Sequence, residues 1–390
     1  MRLALEIVFW AAAGLILWTQ LGYGFALWIA AAIFRPRQAD AGGTPPPSVC
    51  LIVAAHDEAA VIAGKVANAL ALDYPRELLE VVVACDGCGD DTAARARAAG
   101  ADAVLELPRG GKIRAQDAAV ARAAAQIVAF SDANSLWQPD ALAQLVGAFA
   151  DRKVGYACGQ VRFTQAAAGR AATNQEGVYW RYEMALRGFE SRLASITAGN
   201  GAIYATRRQD YIVVDPVMGH DLSFPFNMVK RGRRAVYVPQ AIATEKMVPS
   251  IEGERQRKRR MMAHTWAIVF SGGMLSPRGY GLPYAIMILS HRVLRYLTPF
   301  LHLLALASNL ALVAVYAGPG SGGGAEALYC VMLALQLALL AGALLGGALR
   351  WRALLIVRYY VLTTAALATG LWDWLRHGVA ASWEAAEGTR

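Results

Sequence analysis

Three groups of acidic residues each follow a short apolar, β-branched run, and that repetition is the chain's first chemical signal. The runs 49–53, 79–84 and 127–130 lead into Asp57 and Glu58, into Asp86, and into Asp132 with Asn134 two residues on. In a parallel sheet the carboxyl ends of the strands line the ligand crevice. Carboxylates gathered on one rim repel one another unless a cation or donor groups stand between them, and hard oxygen ligands suit Mg2+ or Mn2+ bridging a diphosphate. Each acid has a plainer role open to it, capping the helix that follows, as Asp57 or Asp91 would. Three acids at successive strand ends weigh toward function.

Positioning these acids takes alternating strands and helices. Helical apolar spacing over 59–72 stops at Asp73-Tyr74-Pro75, and the pattern continues with a helix at 91–99, a strand at 103–107, and helices at 113–125 and 139–150. The alternation implies right-handed crossovers and an α/β domain with a doubly wound, mostly parallel sheet. No Gly-x-Gly-x-x-Gly follows the first strand and no Gly-x-x-x-x-Gly-Lys-Ser/Thr occurs, which sets aside a dinucleotide fold and a P-loop. Cys85 and Cys88 make a lone Cys-x-x-Cys with no second pair, for which buried thiols are the default and zinc is not expected.

The 390 residues are 56% hydrophobic and 17% charged, too apolar for one ordinary soluble domain and too charged for a bare membrane bundle. A net charge of +9 suits anionic headgroups or phosphorylated substrates, and five cysteines, an odd and sparse set, exclude a disulfide scaffold. Residues 3–34 are long enough to span a bilayer and about twice the length of a signal-peptide core. Arg35 and Arg37 follow at once, which puts the next segment in the cytoplasm by the positive-inside bias. The expected division is a transmembrane helix (1–36), a linker (37–47), a cytoplasmic catalytic domain (48–281), an interfacial amphipathic helix (282–297) bearing His291, Arg292 and Arg295, membrane helices (298–377) and a tail (378–390). Within the last group, 299–317 and 327–349 read as spans, whereas 353–375 reads equally as a span or as an interfacial segment.

The chain resembles the membrane-embedded family 2 glycosyltransferases, the group of cellulose, chitin, hyaluronan and exopolysaccharide synthases. Ala54-Ala55-His56-Asp57-Glu58 stands where that family has a Pro-x-Tyr-Asn-Glu-like start, and Leu72-Asp73-Tyr74-Pro75 matches its Leu-Asp-Tyr-Pro. The resemblance implies a GT-A-like fold with α-helical transmembrane segments at both ends. It also implies donor contacts at Ala55 and Glu58, a base-contacting acid at Asp86, a donor-approaching Lys112, and a metal pair at Asp132 and Asn134. Asn134 brings a neutral oxygen where the family has a second carboxylate. Gly219-His220-Asp221-Leu222 stands at the family's Thr-Glu-Asp, which makes Asp221 the candidate base; a carboxylate there can take the proton of an attacking sugar hydroxyl, or cap the following helix. His220 replaces the family's Glu, and its role is open.

The family's Gln-x-x-Arg-Trp has two frames here, Gln256 with Arg259 or Arg257 with Arg260, and the same basic run could instead grip anionic lipid. Trp266 reads as a substitute aromatic platform or as a membrane-interface anchor. Gly199-Asn200-Gly201 resembles the family's glycine turn, and Tyr179, Trp180 and Tyr182 read as core more readily than as an acceptor path. The resulting expectation is an inverting enzyme that moves a sugar from a nucleotide-diphosphate donor, a UDP-sugar first, to a polysaccharide or lipid-linked glycan at the inner membrane. The first alternative is a lipid or polyprenyl-phosphate glycosyltransferase making a simple glycolipid; one of another class is a transporter with a nucleotide-sensing domain. Expected partners are the donor, the acceptor, membrane lipids and Mg2+ or Mn2+. Basic residues clustered beside membrane segments argue against nucleic acid.

Overall fold

The computed structural model describes residues 1–34, 45–164, 170–246, 251–317, 324–349 and 351–379, with the side chains of 164–179 and 251–257 outside the description. Most of the expected linker and nearly all of the expected tail therefore lie outside the described residues. The chain opens with α1 (Arg2–Leu17) and α2 (Tyr23–Ile33), joined by a π-helical turn, Trp18–Gly22, into one continuous 32-residue apolar helix. The polar Thr19 and Gln20 sit in that turn, where the Thr19 hydroxyl donates to the Ile16 carbonyl at 3.0 Å.

The expected alternation then follows: β1 (Val49–Ala55), α3 (Ile62–Leu70), β2 (Leu79–Asp86), α4 (Thr92–Ala98), β3 (Ala103–Leu107), α5 (Lys112–Arg122) and β4 (Ile127–Asp132). β5 (Leu136–Trp137), α6 (Ala141–Gly147), β6 (Val154–Thr164), α7 (Arg170–Leu193), β7 (Ile203–Arg207), α8 (His220–Lys230) and β8 (Arg234–Lys246) complete the domain. They form one sheet in the order β3-β2-β1-β4-β7-β6-β8-β5. All seven residues of β1 are buried, and its sides alternate: Val49 and Leu51 join one core, Cys50 and Ile52 the opposite one. Helices cover both faces, so β1 is an unbroken apolar run and not an alternating one.

The mostly parallel arrangement holds for β3, β2, β1 and β4. Beyond β4 it changes: β7 is antiparallel to β4 and β6, β8 is parallel to β6, and β5 is antiparallel to β8.

After the sheet come α9 (Ile251–Ser271), α10 (Leu282–Met287), a π-helical turn at Ile288–Val293, α11 (Leu294–Tyr296), α12 (Thr298–Tyr316), α13 (Gly324–Leu349) and α14 (Arg352–His377). Among the described residues four helices are long and apolar enough to cross a membrane: Arg2–Ile33, α12, α13 and α14. Thus the segment whose sequence fits a span or an interfacial helix equally has, in α14, the length and composition of a span. Leu303, Leu335 and Leu344 on these helices are exposed, which water would penalise and lipid would not. The segment preceding α12 departs from the amphipathic expectation, because His291, Arg292 and Arg295 are buried in protein.

Candidate active site

The carboxyl ends of β1, β2 and β4 share one rim, with Ala55 paired to Cys85 and Ala54 to Asp132 across the ladder. Asp86 ends β2 but does not face an open crevice. Its carboxylate is buried and accepts the N–H groups of Gly110 at 2.6 Å and Gly111 at 3.0 Å, with an Arg109 guanidinium nitrogen 3.3 Å away. Gly111 stands at φ +94°, a conformation that glycine tolerates, so that both amides converge on one acid. Asp86 thereby fixes the turn that launches α5, whose first residue is Lys112.

The Lys112 ammonium forms an ion pair with Asp132 Oδ1 and a 3.3 Å hydrogen bond to the Gly201 carbonyl. Both partners stay partly open, at 17% and 19% side-chain exposure. A Cβ on Gly201 would lie 3.7 Å from Lys112 Nζ and 4.0 Å from Asp221 Cβ, so the ion pair and the candidate base meet at one corner. The Asp221 carbonyl accepts the Gly199 N–H at 2.6 Å. Glycine is required at 199, since a Cβ there would fall 2.0 Å from the Tyr156 hydroxyl. Asp132 and the half-exposed Asn134 offer hard oxygens beside this corner, a donor set that fits Mg2+ or Mn2+.

Glu58 begins the turn into α3: its carbonyl accepts the Val61 and Ile62 N–H groups, and its own N–H donates to Thr92 Oγ1 at 2.8 Å. Ala55 contributes a carbonyl that faces Cys88. His220 is buried, stacks on Phe224 at 4.0 Å, and is hydrogen-bonded through Nδ1 to the Tyr204 hydroxyl at 2.7 Å. Burial, helped by the nearby Lys112 charge, pushes it down to about 3, so it is neutral and packs behind the candidate base.

The basic run lies on α9. The side chains of Gln256 and Arg257 fall outside the described residues, and Arg260 is exposed. Its neighbours turn to α14: Arg259 Nη2 is 2.6 Å from Asp373, and the Lys258 ammonium lies 4.2 Å over the Tyr359 ring. Trp266 fits neither expected role, being buried between these helices with its indole N–H on the Leu367 carbonyl at 2.8 Å. Trp180 is half-buried and donates to the Val161 carbonyl, as a core residue would, whereas Tyr182 donates to the Gln20 carbonyl on the first apolar helix; the Tyr179 side chain lies outside the described residues.

Two features escaped the sequence. Lys65 on α3 is fully buried, donates to the Ser135 carbonyl at 2.7 Å and lies 5.1 Å over Trp137, directly beneath the Asp132-Ala133-Asn134 turn. The second is a buried ionic seam. Glu183 and Glu190 of α7 meet His291 and Arg295, with His291 Nδ1 2.7 Å from Glu190 and Arg295 against Glu183. Tyr23 of α2 donates to Glu190 at 2.7 Å, and Arg292 donates to Thr197 Oγ1 at 2.8 Å. Burial opposes the charge on Glu183, but Arg295 and His291 outweigh it and hold the acid well below the ordinary carboxylate value. The available signal was the seven-residue spacing of Glu183 and Glu190, which puts both on one helix face.

A parallel half-sheet with acids on its carboxyl rim, an ammonium–carboxylate pair and an aspartate at a helix start define a nucleotide-sugar transferase type of domain. The model of the glycosyltransferase like family 2 matches residues 45–263, more than half of the chain, and the protein belongs to that family. It is 27% identical over 246 residues to an N-acetylglucosaminyltransferase of Mesorhizobium japonicum, covering 57% of each chain. It is 31% identical over 182 residues to a beta-monoglucosyldiacylglycerol synthase of Synechocystis, covering 42% of this chain and 35% of that one. The chain therefore spans only about half and one third of these relatives' lengths. Among solved structures, a mannosyltransferase of Pyrobaculum calidifontis in complex with GDP-Man and Mn2+ superimposes with a TM-score of 0.68 at 23% identity, covering 95% of this chain and 99% of that one. That likeness establishes the shared GT-A fold.

Proposed function

We propose that this protein transfers a sugar, with inversion, from a nucleotide-diphosphate donor, a UDP-sugar in the first instance, to a polysaccharide or lipid-linked glycan. The observation that carries the reading is the corner where Lys112, Asp132, Gly201 and Asp221 meet. Asp221 accepts the proton of the attacking hydroxyl, and the bare Cα of Gly201 leaves room for the sugar between base and ion pair. Lys112 supplies a positive charge to the departing diphosphate, while Asp86, through the Gly110-Gly111 amides, keeps that lysine in place. Asp132 and Asn134 would hold Mn2+ or Mg2+. When bound, the ion offsets the charge that develops on the leaving group. Ala55 and Glu58 shape the donor side. Gln256, Arg257 and Arg260 would serve the acceptor or the diphosphate as cations or hydrogen-bond donors.

The catalytic domain, 48–281, would face the cytoplasm of a cell whose inner membrane holds α12, α13, α14 and the N-terminal helix, since Arg35 and Arg37 follow the first span. A second reading keeps the chemistry and changes the acceptor to a simple lipid. The likeness to the beta-monoglucosyldiacylglycerol synthase favours it, as does the packing of α9, which bears the basic run, directly on the apolar α14.

The test is a screen of purified protein in detergent for nucleoside diphosphate release across UDP-, GDP- and TDP-sugars, with glycan and lipid acceptors offered separately. One donor should support turnover that chelation stops and Mn2+ or Mg2+ restores. Absence of turnover with every donor overturns the transferase reading, and undiminished turnover in chelator overturns the metal role of Asp132.

A further inference from the structure

Beside the donor rim stands a cluster that the transfer chemistry does not use. His56, Asp57 and Cys88 are all partly exposed, and one ligand atom from each lies within 4.8 Å of the other two. The imidazole is already oriented as a metal ligand would be. Its Nδ1 is hydrogen-bonded to the Asp86 carbonyl at 2.8 Å, which fixes the orientation of the ring and places Nε2 3.5 Å from Asp57 Oδ2. A divalent cation between Nε2 and Oδ2 would be within reach of both atoms. Asp57 is held for the role as well: it sits at φ +51°, and its other oxygen accepts the Gly89 N–H at 2.7 Å, leaving Oδ2 to point at the histidine. Cys88 closes the third side, its thiol 3.6 Å from the Ala55 carbonyl.

We propose that His56, Asp57 and Cys88 bind a zinc-class divalent ion at a site separate from the Asp132–Asn134 pair. The donor set decides the class: imidazole and thiolate select zinc over Mg2+ or Mn2+, which prefer an all-oxygen environment. With Zn–S near 2.3 Å and Zn–N near 2.0 Å, tetrahedral ligand atoms stand about 3.3–3.6 Å apart. The His56–Asp57 separation is already in that range, and the Cys88 sulfur lies within the 4.8 Å cluster. Three protein ligands leave a fourth position open to water, and the partial exposure of all three gives the ion a way in. Binding is balanced by one proton: the Cys88 S–H bond breaks, the sulfur–metal bond forms, and the proton goes to solvent. Cys85 takes no part, since it is buried and burial pushes its thiol up to about 12. The Cys-x-x-Cys of the sequence thus splits into one core thiol and one ligand.

The experiment reads metal binding without turnover, so its outcome is independent of the transferase reading. Full-length protein in detergent, with Mn2+ in excess to occupy the hard-oxygen site, is titrated with Co2+ and then Zn2+. A near-ultraviolet sulfur-to-cobalt charge-transfer band should rise to one equivalent and be displaced by zinc. Cys88→Ser, a near-isosteric change at a half-exposed position, should abolish the band and weaken zinc binding at least about tenfold, no less than loss of an outer-shell partner costs. His56→Gln should weaken it similarly, and Cys85→Ser should leave it intact. Absence of the band in folded wild-type protein overturns the site, as does a band that survives Cys88→Ser.

Discussion

The donor rim and the buried seam use the same kinds of residue to opposite ends. At the rim, Lys112 and Asp132 retain 17% and 19% of their side-chain exposure and the candidate base is half-buried. In the seam, Glu190 is fully buried and His291 is 2% exposed, with every carboxylate tied to a cation or a hydroxyl. An open ion pair can exchange its partner for a substrate; a closed one can only hold position. The two regions are nonetheless wired together. Glu190 accepts the Thr197 N–H at 3.0 Å, and two residues on the Gly199 N–H donates to the Asp221 carbonyl. The contrast teaches that charge at the rim stays open to exchange, whereas charge in the seam fixes where the first apolar helix meets the loop that carries Gly199.

The largest effect expected from that contrast is at Asp221. Asp221, an acid in the first turn of α8 that makes no side-chain cap, keeps its shape in Asp221→Asn but cannot accept a proton, so transfer should fall by roughly 10²–10⁴-fold with donor affinity and thermal midpoint preserved. Measuring all three on one preparation separates the outcomes. Near-normal transfer would falsify the base assignment, and a collapsed midpoint would move Asp221 to the structural side of the comparison.

The seam should show the reverse split. Arg295→Met leaves Glu183 as a buried acid without its guanidinium, which costs about 3–5 kcal/mol of stability, and the added change Glu183→Leu should restore much of it because no charge is then stranded. Thermal midpoints in detergent report both steps. If the double variant is no better than the single, the pair is not an isolated charge couple, and a packing role must replace it. Transfer per folded molecule should drop far less than in Asp221→Asn.

These regions also differ in how much of them the sequence reveals. β1, β2 and β4 are legible because each is an apolar run that leads into an acid, and the alternation of runs and helices is that of a parallel half-sheet. β6 and β7 carry no comparable punctuation, and β7 pairs with β4 from a distant part of the chain, so no local period announces it. The rim residues Asp132, Lys112 and Asp221 could be picked out and do converge. Asp86 could be picked out too, but not its use, since the amides that satisfy it lie in a turn 24 and 25 residues away. In the seam, His291 and Arg295 stand out as charges in an apolar helix, and lipid headgroups are the natural partners to infer. Their real partners lie 101 and 112 residues upstream, a distance over which sequence pattern carries no pairing information.

Lys65 tests the contrast from within, because it is a seam-like residue placed under the rim. In sequence, Gly64-Lys65-Val66 looks like an ordinary solvated helix position; in the structure the ammonium is fully buried, with the Ser135 carbonyl and the Trp137 ring as its neighbours. Burial pushes it from 10.5 down to about 7, with Asp132 and Glu245 pulling the other way. Between pH 7 and 10.5 the unfolded chain therefore keeps a proton that the folded chain has released, and stability must rise with pH across that window. The slope approaches about 1.4 kcal/mol per pH unit for a single proton, on top of whatever other groups contribute. Lys65→Met removes this proton from both states, so the wild-type thermal midpoint should rise relative to the variant's as pH goes from 7 to 9.5. Parallel profiles would mean that Lys65 keeps its charge in the fold. It would then act as a fixed counter-ion beneath Asp132, and the rim would contain a closed charge of the kind otherwise confined to the seam.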